Sequence, residues 1–352
     1  LELKMAKGKK NSKRIKCVVW DLDNTIWNGI LLEDKNVTLR NGITDIIKTL
    51  DSRGILQSIA SRNDYNSAME KLKEFKLDEY FIYPQINWNS KSTSVLTIAN
   101  LINIGTDTLA FIDDQQFERE EVSFSIPEVL CIDAIDLSGL IDMPEMIPRF
   151  LTDDSKNRRI MYMSDIKRNL IEEKFDGPQE KFLESLEMEL TIAPVEEGDL
   201  ERAEELTVRT HQLNTTGYTY SYEELKSFSS SDRYKLFIMG LNDKYGTYGK
   251  IGLILMEYDD DVWIIKLLLM SCRVMSRGVG TVVLNYIMKM AKDKGVKLRA
   301  EFVPTDKNRM MYVTYKFAGF REVEENDSLV VFENSLERIQ GIPNYIKLKV
   351  NI

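Results

Sequence analysis

Between Ile15 and about Asp133 the chain alternates short apolar runs with stretches of helical periodicity, and no other feature restricts its fold as much. The runs are "IKCVVW", "ILQSIAS", "YFIYPQI", "TLAFID" and "VLCID", and between them lie "NGITDIIKTLDSRG", "YNSAMEKLKEFKL" and "STSVLTIANLINIG". The longer stretches have apolar residues at helical spacing and Gly near two of their ends, which predicts helices. Strands alternating with helices join through right-handed crossovers into a parallel, doubly wound α/β sheet. Such sheets do their chemistry at the carboxyl ends of their strands. Asp21, Asp23, Ser61, Asp113 and Asp114 all fall on that edge.

The stretch "CVVWDLDNTIW" aims two carboxylates off the end of a buried strand. Aspartates gathered at such an edge repel one another unless a cation joins them, and Mg²⁺ suits both carboxylate and phosphate oxygens. One carboxylate can then attack phosphorus while the one two residues on protonates the leaving oxygen. A DxD alone more often marks a capped strand end, and Ser61 or Lys91 alone an ordinary cap or surface group. The ordered set is far more specific: "DLDNT", "SIAS" after the second strand, Lys91 before a helix, and "FIDD" after the fourth strand.

Composition removes several classes of function. The 352 residues suffice for two domains with sizeable cores. A net charge of −9 argues against nucleic acid as the main partner. No apolar run is long enough for a membrane span, so no membrane association is expected. Cys17, Cys131 and Cys272 have no CxxC spacing, which points away from zinc and disulfides and toward a reducing cytoplasm. With one histidine, His211, histidine metal clusters are excluded. Residues 1–14 read as a basic linker, and the missing initiator Met suggests a fragment of a longer polypeptide or a cloning remnant.

Residues 137–187 read as a charged, amphipathic helical connector with a break at Gly177-Pro178. From about residue 188 to 340 the pattern changes. "YKLFIMGL", "KIGLILMEY" and "VWIIKLLLMSC" predict an antiparallel meander. "RVMSRGVGTVVLNYIMKMAKDKG" is a basic, Gly-containing loop entering a long helix, and main-chain N–H groups there suit pyrophosphate oxygens.

Residues 15 to about 136 resemble a haloacid dehalogenase-type (HAD-like) phosphatase or phosphotransferase domain, on "WDLDNTIW" and "FIDDQQFERE". The closing "LRAEFVPTDKNRMMYVTYKFAGF" resembles the end of the GNAT acyltransferase fold, an α+β domain with a mainly antiparallel sheet. The two in succession resemble the FkbH-like family from about residue 15 to 335, as do "LTVRTHQLN" and "SCRVMSRGVG". The resemblance implies Asp21 as phosphoryl-accepting nucleophile and Asp23 as acid/base. It implies Ser61 and Lys91 on the phosphate, and Asp21, Asp23, Asp113 and Asp114 around Mg²⁺. "WNGILLED" would be a short flap. Gln115-Gln116 departs from the family's Asn-Pro, and Met275 from its Arg or Gln.

Family members are associated with loading a glyceryl unit from 1,3-bisphosphoglycerate onto the phosphopantetheine of an acyl carrier protein in polyketide biosynthesis. Related modules deliver a lactyl unit. The carrier could belong to the same parent synthase. The phosphopantetheine region would include Arg277, Gly278, Gly280 and Tyr315. Cys17 lies about 13 Å from the aspartates along its strand and reads as core, as does Cys131. Cys272 ends a strand beside the Gly loop with Arg273 adjacent, so it is either the acyl-carrying thiol, with His211 as base, or structural. A phosphatase whose second domain only positions substrate or docks a carrier is the alternative.

Overall fold

The structure is a computed structural model and describes residues 14–34, 36–326 and 328–351; the expected basic linker lies outside them except for Arg14. The chain divides into two compact units, Leu1–Met163 and Ser164–Ile352. The division falls inside the stretch expected as a connector.

In the first unit five strands form one parallel sheet: β1 (Cys17–Trp20), β2 (Leu56–Ser61), β3 (Gln85–Ile86), β4 (Leu109–Asp113) and β5 (Leu130–Asp133). Their order is β3-β2-β1-β4-β5. Strand order reverses between β1 and β4, so the crevice of the doubly wound sheet opens where β1 runs into Asp21 and β4 ends on Asp113. β1 is wholly buried, as a central parallel strand covered on both faces must be. The run "YFIYPQI" yields only the two-residue β3, because Tyr83 has a positive φ of 49° and Pro84 has no N–H for a ladder.

Helices α1 (Ile43–Ser52), α2 (Tyr65–Glu74), α3 (Lys91–Ile102) and α4 (Gln116–Ser125) flank the sheet. α1 buries Ile43, Ile46, Ile47 and Leu50, one stripe at helical spacing. Each such side chain contributes roughly 1.5–3 kcal/mol of hydrophobic stabilisation. Ser90 caps α3 by accepting the Thr93 N–H, which sets the helix start at Lys91. The expected flap begins at Trp27–Asn28, which pair antiparallel with Thr38–Leu39.

The second unit carries helices α5 (Arg158–Glu173, from Ser164 on) and α6 (Gln179–Leu186), with Gly177-Pro178 between them. Its mixed eight-stranded sheet contains β6 (Met188–Pro194), β7 (Tyr234–Asp243), β8 (Gly246–Tyr258), β9 (Val262–Met270), β10 (Lys297–Phe302), β11 (Arg321–Asn326), β12 (Leu329–Asn334) and β13 (Ile346–Val350). The order is β11-β12-β10-β9-β8-β7-β6-β13. As the alternating pattern predicts, β7, β8 and β9 form an antiparallel meander. Around the sheet lie α7 (Leu200–Arg209), α8 (Tyr222–Ser229), α9 (Val279–Lys294) and α10 (Arg309–Phe317).

β9 and β10 pair in parallel only from Val262–Ile265 against Lys297–Ala300. Beyond that the chain around Thr215 enters between them. Thr215 N–H donates to Leu268 O (3.1 Å), Met270 N–H to Leu213 O (2.8 Å) and Val303 N–H to Thr215 O (2.9 Å). Asn308 Nδ2 donates to Asn214 O and holds the insertion from behind. These residues are buried, and their pairing satisfies β9 groups that the diverging strands would leave bare.

Candidate active site

The cluster in the first unit follows from where three strands stop. Asp21 comes directly after β1, and its N–H donates to Ile112 O on β4 (2.9 Å), which sets it beside Asp113 and Asp114. Thr25 Oγ accepts the Asp114 N–H (3.2 Å) and so ties the first acidic motif to the last. One carboxylate oxygen each from Asp21, Asp113 and Asp114 lie within 4.8 Å of one another.

Lys91 Nζ sits among these carboxylates, almost wholly buried. It donates to Asp21 Oδ1, to Asp113 Oδ2 (2.9 Å) and to Ala60 O (3.0 Å), and it pairs with Glu118 Oε2 (2.9 Å). Burial alone would lower its pKa, but the charges of Asp21, Asp113 and Glu118 outweigh that and raise it, so Lys91 stays an ammonium.

Asp23 is placed differently from the other three aspartates. Its Oδ1 accepts from Trp27 Nε1 (2.7 Å) and the Leu31 N–H (3.1 Å), and its Oδ2 accepts from Asn63 Nδ2 (3.0 Å). The flap residues Trp27 and Leu31 therefore orient a carboxylate that stands apart from the three-oxygen cluster. Burial raises its pKa, which suits a group that gives up a proton. Ser61 ends β2 at the same edge and is buried, and its carbonyl accepts the Asn87 N–H (3.1 Å).

The donor set fits a hard divalent cation. Asp114 Oδ1 is buried with no hydrogen-bond partner, an arrangement that costs free energy unless something positive meets it. Burial and the Asp21 charge push Asp113 up to about 7, against 3.8 for an ordinary aspartate. Clustered oxygens of this kind suit Mg²⁺.

Without a cation, the folded protein holds a proton on Asp113 that the unfolded chain has already lost. Stability from this group is full below about pH 4 and is lost as pH rises through about 7. In EDTA the thermal midpoint of the wild type should therefore fall more steeply between about pH 5 and pH 8 than that of Asp113→Asn, and Mg²⁺ should flatten the difference. Equal slopes for the two proteins in EDTA would exclude this account.

The candidates in the second unit lie on several elements. Cys272 is half-buried and opens a short 3-10 turn after β9; His211 is exposed in the loop after α7. Arg277 is buried, paired with Glu172 (2.7 Å) and set over the Phe182 ring. Gly278 precedes α9 at φ 72°, and a Cβ there would lie 2.4 Å from Tyr345 Oη. Gly280, in the first turn of α9, faces Met270. Tyr315 is core, packed on Phe320 and Phe332. Cys17 is wholly buried and its thiol pKa is raised; burial pushes Cys131 up to about 11.

Sequence reasoning did not assign Asn63, Glu118 or Arg62, which reach the site through side-chain contacts. The only available signal was the "FERE" stretch after "FIDD".

Residues 11–120, which carry this cluster, match the family model of haloacid dehalogenase-like hydrolases. No curated protein matches the chain. Among solved structures, the N-terminal part of BF1531 from Bacteroides fragilis, which contains a phosphatase domain and was crystallised with Mg, is 29% identical. That match covers 39% of this chain and 41% of that one at a TM-score of 0.32, so the chain spans less than half of the Bacteroides protein's length. The Escherichia coli ribosomal-protein-S18-alanine N-acetyltransferase is 17% identical, over 41% of this chain and 92% of that one, at a TM-score of 0.33. Campylobacter jejuni PseH, an N-acetyltransferase, is 20% identical over 31% and 72%, at 0.24. No helix among the described residues is long and apolar enough to cross a membrane.

Proposed function

We propose that the first unit is a Mg²⁺-dependent phosphatase of the haloacid dehalogenase type, acting in an FkbH-like enzyme that loads a glyceryl unit onto an acyl carrier protein. The observation that carries the reading is the convergence of Asp21, Asp113 and Asp114 around an unpartnered buried carboxylate oxygen, with Lys91 Nζ among them. Bound Mg²⁺ would be held by these three carboxylates and would offset charge on the phosphate.

Asp21 attacks phosphorus and the bond from phosphorus to the substrate oxygen breaks. Asp23, held by Trp27, Leu31 and Asn63, gives that oxygen its proton. The Asp23 carboxylate then takes a proton from water, which attacks phosphorus and frees Asp21 as phosphate leaves. Lys91 and Ser61 hold the phosphoryl oxygens. In 1,3-bisphosphoglycerate the acyl phosphate is already activated toward a thiol, whereas the second phosphate is a stable monoester that needs this site. The Cys272 thiolate would attack the acyl carbon and displace the acyl phosphate group as inorganic phosphate, and the carrier's phosphopantetheine thiol would then take the glyceryl group by thioester exchange and free Cys272. Burial raises Cys17 and Cys131, which suits core thiols, and Cys272 is the candidate because it follows β9 beside the Gly loop with Arg273 adjacent.

A second reading, in which the second unit only positions substrate or docks a carrier, draws on a different observation. The β9 edge leading to Cys272 is already paired with Leu213 and Thr215, and Arg277 is committed to Glu172. A pantetheine chain would have to displace these contacts.

Intact-mass measurement of the protein and a holo carrier, incubated with Mg²⁺ and 1,3-bisphosphoglycerate, separates the two readings. Under the loading reading Cys272→Ala abolishes the acyl adduct and carrier loading while phosphate release continues. Cys17→Ala keeps both and loses about 1–2 kcal/mol of stability from core packing. Phosphate release with no acyl product on either protein would favour the second reading.

A further inference from the structure

The residues after "FIDD" form a device that the proposed chemistry does not itself use. α4 follows the Asp113-Asp114 pair directly, and three of its side chains grip the elements on either side. Glu118, 6% exposed, lies between two cations, with Oε2 at 2.9 Å from Lys91 Nζ and Oε1 at 2.9 Å from Arg62 Nη1. Arg62 directly follows Ser61, and its Nε donates to Asn89 O (3.3 Å), just before α3. Glu121, one turn on from Glu118, accepts the Ser92 N–H (3.0 Å) and the Ser92 hydroxyl. Arg119 donates to Asp113 O (2.8 Å) and pairs with Asp133. The first turn of α3, which presents Lys91, is thus held by two carboxylates of α4, of which only Glu118 touches the ammonium.

Counting donors explains why that contact matters. An ammonium has three N–H donors, and four acceptors surround Lys91 Nζ: Asp21 Oδ1, Asp113 Oδ2, Ala60 O and Glu118 Oε2. Once an Asp21 oxygen is bonded to phosphorus, it is a poorer acceptor and one donor must be re-aimed. Ala60 O is fixed by β2, and Glu118 is fixed from its far side by Arg62. Between them they can hold two donors in place and leave the third for a phosphoryl oxygen. Without Glu118, nothing on the α4 side keeps the flexible lysine from following Asp113 instead.

We propose that Glu118, braced by Arg62, is the positioning residue that aims Lys91 at the transferred phosphoryl group. The proposal rests on the phosphoryl-transfer reading of this site. The test uses the full chain, saturating Mg²⁺ and para-nitrophenyl phosphate as probe. Glu118→Gln is expected to lower kcat by about 10²-fold with KM changed less than about threefold, because misplacing an aligned group by an ångström costs that much. Glu118→Asp should recover part of the loss. Glu121→Gln, which loosens the same helix pair without touching Lys91, should stay within about threefold of wild type. Calorimetric binding of orthovanadate, a mimic of the phosphoryl group in transfer, should weaken in Glu118→Gln and not in Glu121→Gln.

A kcat for Glu118→Gln close to wild type, or an equal loss in Glu121→Gln, would overturn the proposal. If Glu118→Gln does not fold, Arg62→Ala takes its place. That side chain is 41% exposed, and its removal should lower kcat by roughly three- to tenfold without moving the thermal midpoint. An unchanged kcat in Arg62→Ala would then count against the brace. Asp21→Asn is run alongside: equal phosphate release from it and the wild type overturns the phosphoryl-transfer reading itself, whereas an inactive Asp21→Asn beside an unaffected Glu118→Gln overturns only the role of Glu118.

Discussion

Asp21→Asn is expected to lower phosphate release by about four orders of magnitude or more while leaving the fold and thermal midpoint nearly unchanged. An amide cannot form the acyl phosphate that the proposed first step requires, so the loss should appear in kcat rather than in substrate binding. The fold should survive because Lys91 keeps Asp113, Glu118 and Ala60 O as partners. The charge removed belongs to a cluster that repels itself, as the raised Asp113 shows. Steady-state release of inorganic phosphate and a thermal melt of both proteins check this. Residual turnover within tenfold of wild type would mean that another group makes the bond to phosphorus.

The largest expected effect on stability lies in the second unit. Arg168 is wholly buried. It bonds Asp243 through Nε (2.7 Å) and Nη2 (2.8 Å), Asp165 through Nη1 (2.8 Å) and Gly246 O (2.9 Å), and it lies 3.8 Å over the Tyr248 ring. Asp243 is equally buried, so Arg168→Ala strands a carboxylate in the interior. Removing one partner from such a pair typically costs about 3–5 kcal/mol. We expect urea unfolding of Arg168→Ala to show a loss of that size. Arg168→Lys should recover only part of it, because an ammonium cannot make the two-point bond to Asp243. A loss below about 1 kcal/mol in Arg168→Ala would show that the cluster is better solvated than its geometry indicates.

The two units differ in how much of each could be read from the sequence. In the first, βαβ alternation is a local pattern: each strand is a short apolar run, each helix an apolar stripe, and right-handed crossovers leave few ways to assemble them. The parallel, doubly wound class, and with it the edge that carries Asp21, Ser61 and Asp113, followed from those local signals; the strand order β3-β2-β1-β4-β5 did not, because periodicity does not say which strands become neighbours. One run misled, because Pro84 and the positive φ of Tyr83 cut "YFIYPQI" down to two paired residues. In the second unit the meander was legible for the same reason. The insertion around Thr215 was not, since "QLNTTG" has no strand periodicity and pairs only because β9 and β10 diverge and leave main-chain groups bare.

By itself, then, the sequence determined the α/β class of the first unit, the meander of the second, and the presence of carboxylates at one sheet edge, because periodicity and strand ends are properties of neighbouring residues. Only the tertiary structure decided which charged groups meet. Lys91 reaches Asp21 across 70 positions and Arg277 reaches Glu172 across 105, and no local pattern records such pairs. The same holds for burial. It makes Asp113 hold its proton to about pH 7 and keeps Cys17 a thiol, because desolvation depends on everything that packs around a group and not on the residues beside it in the chain.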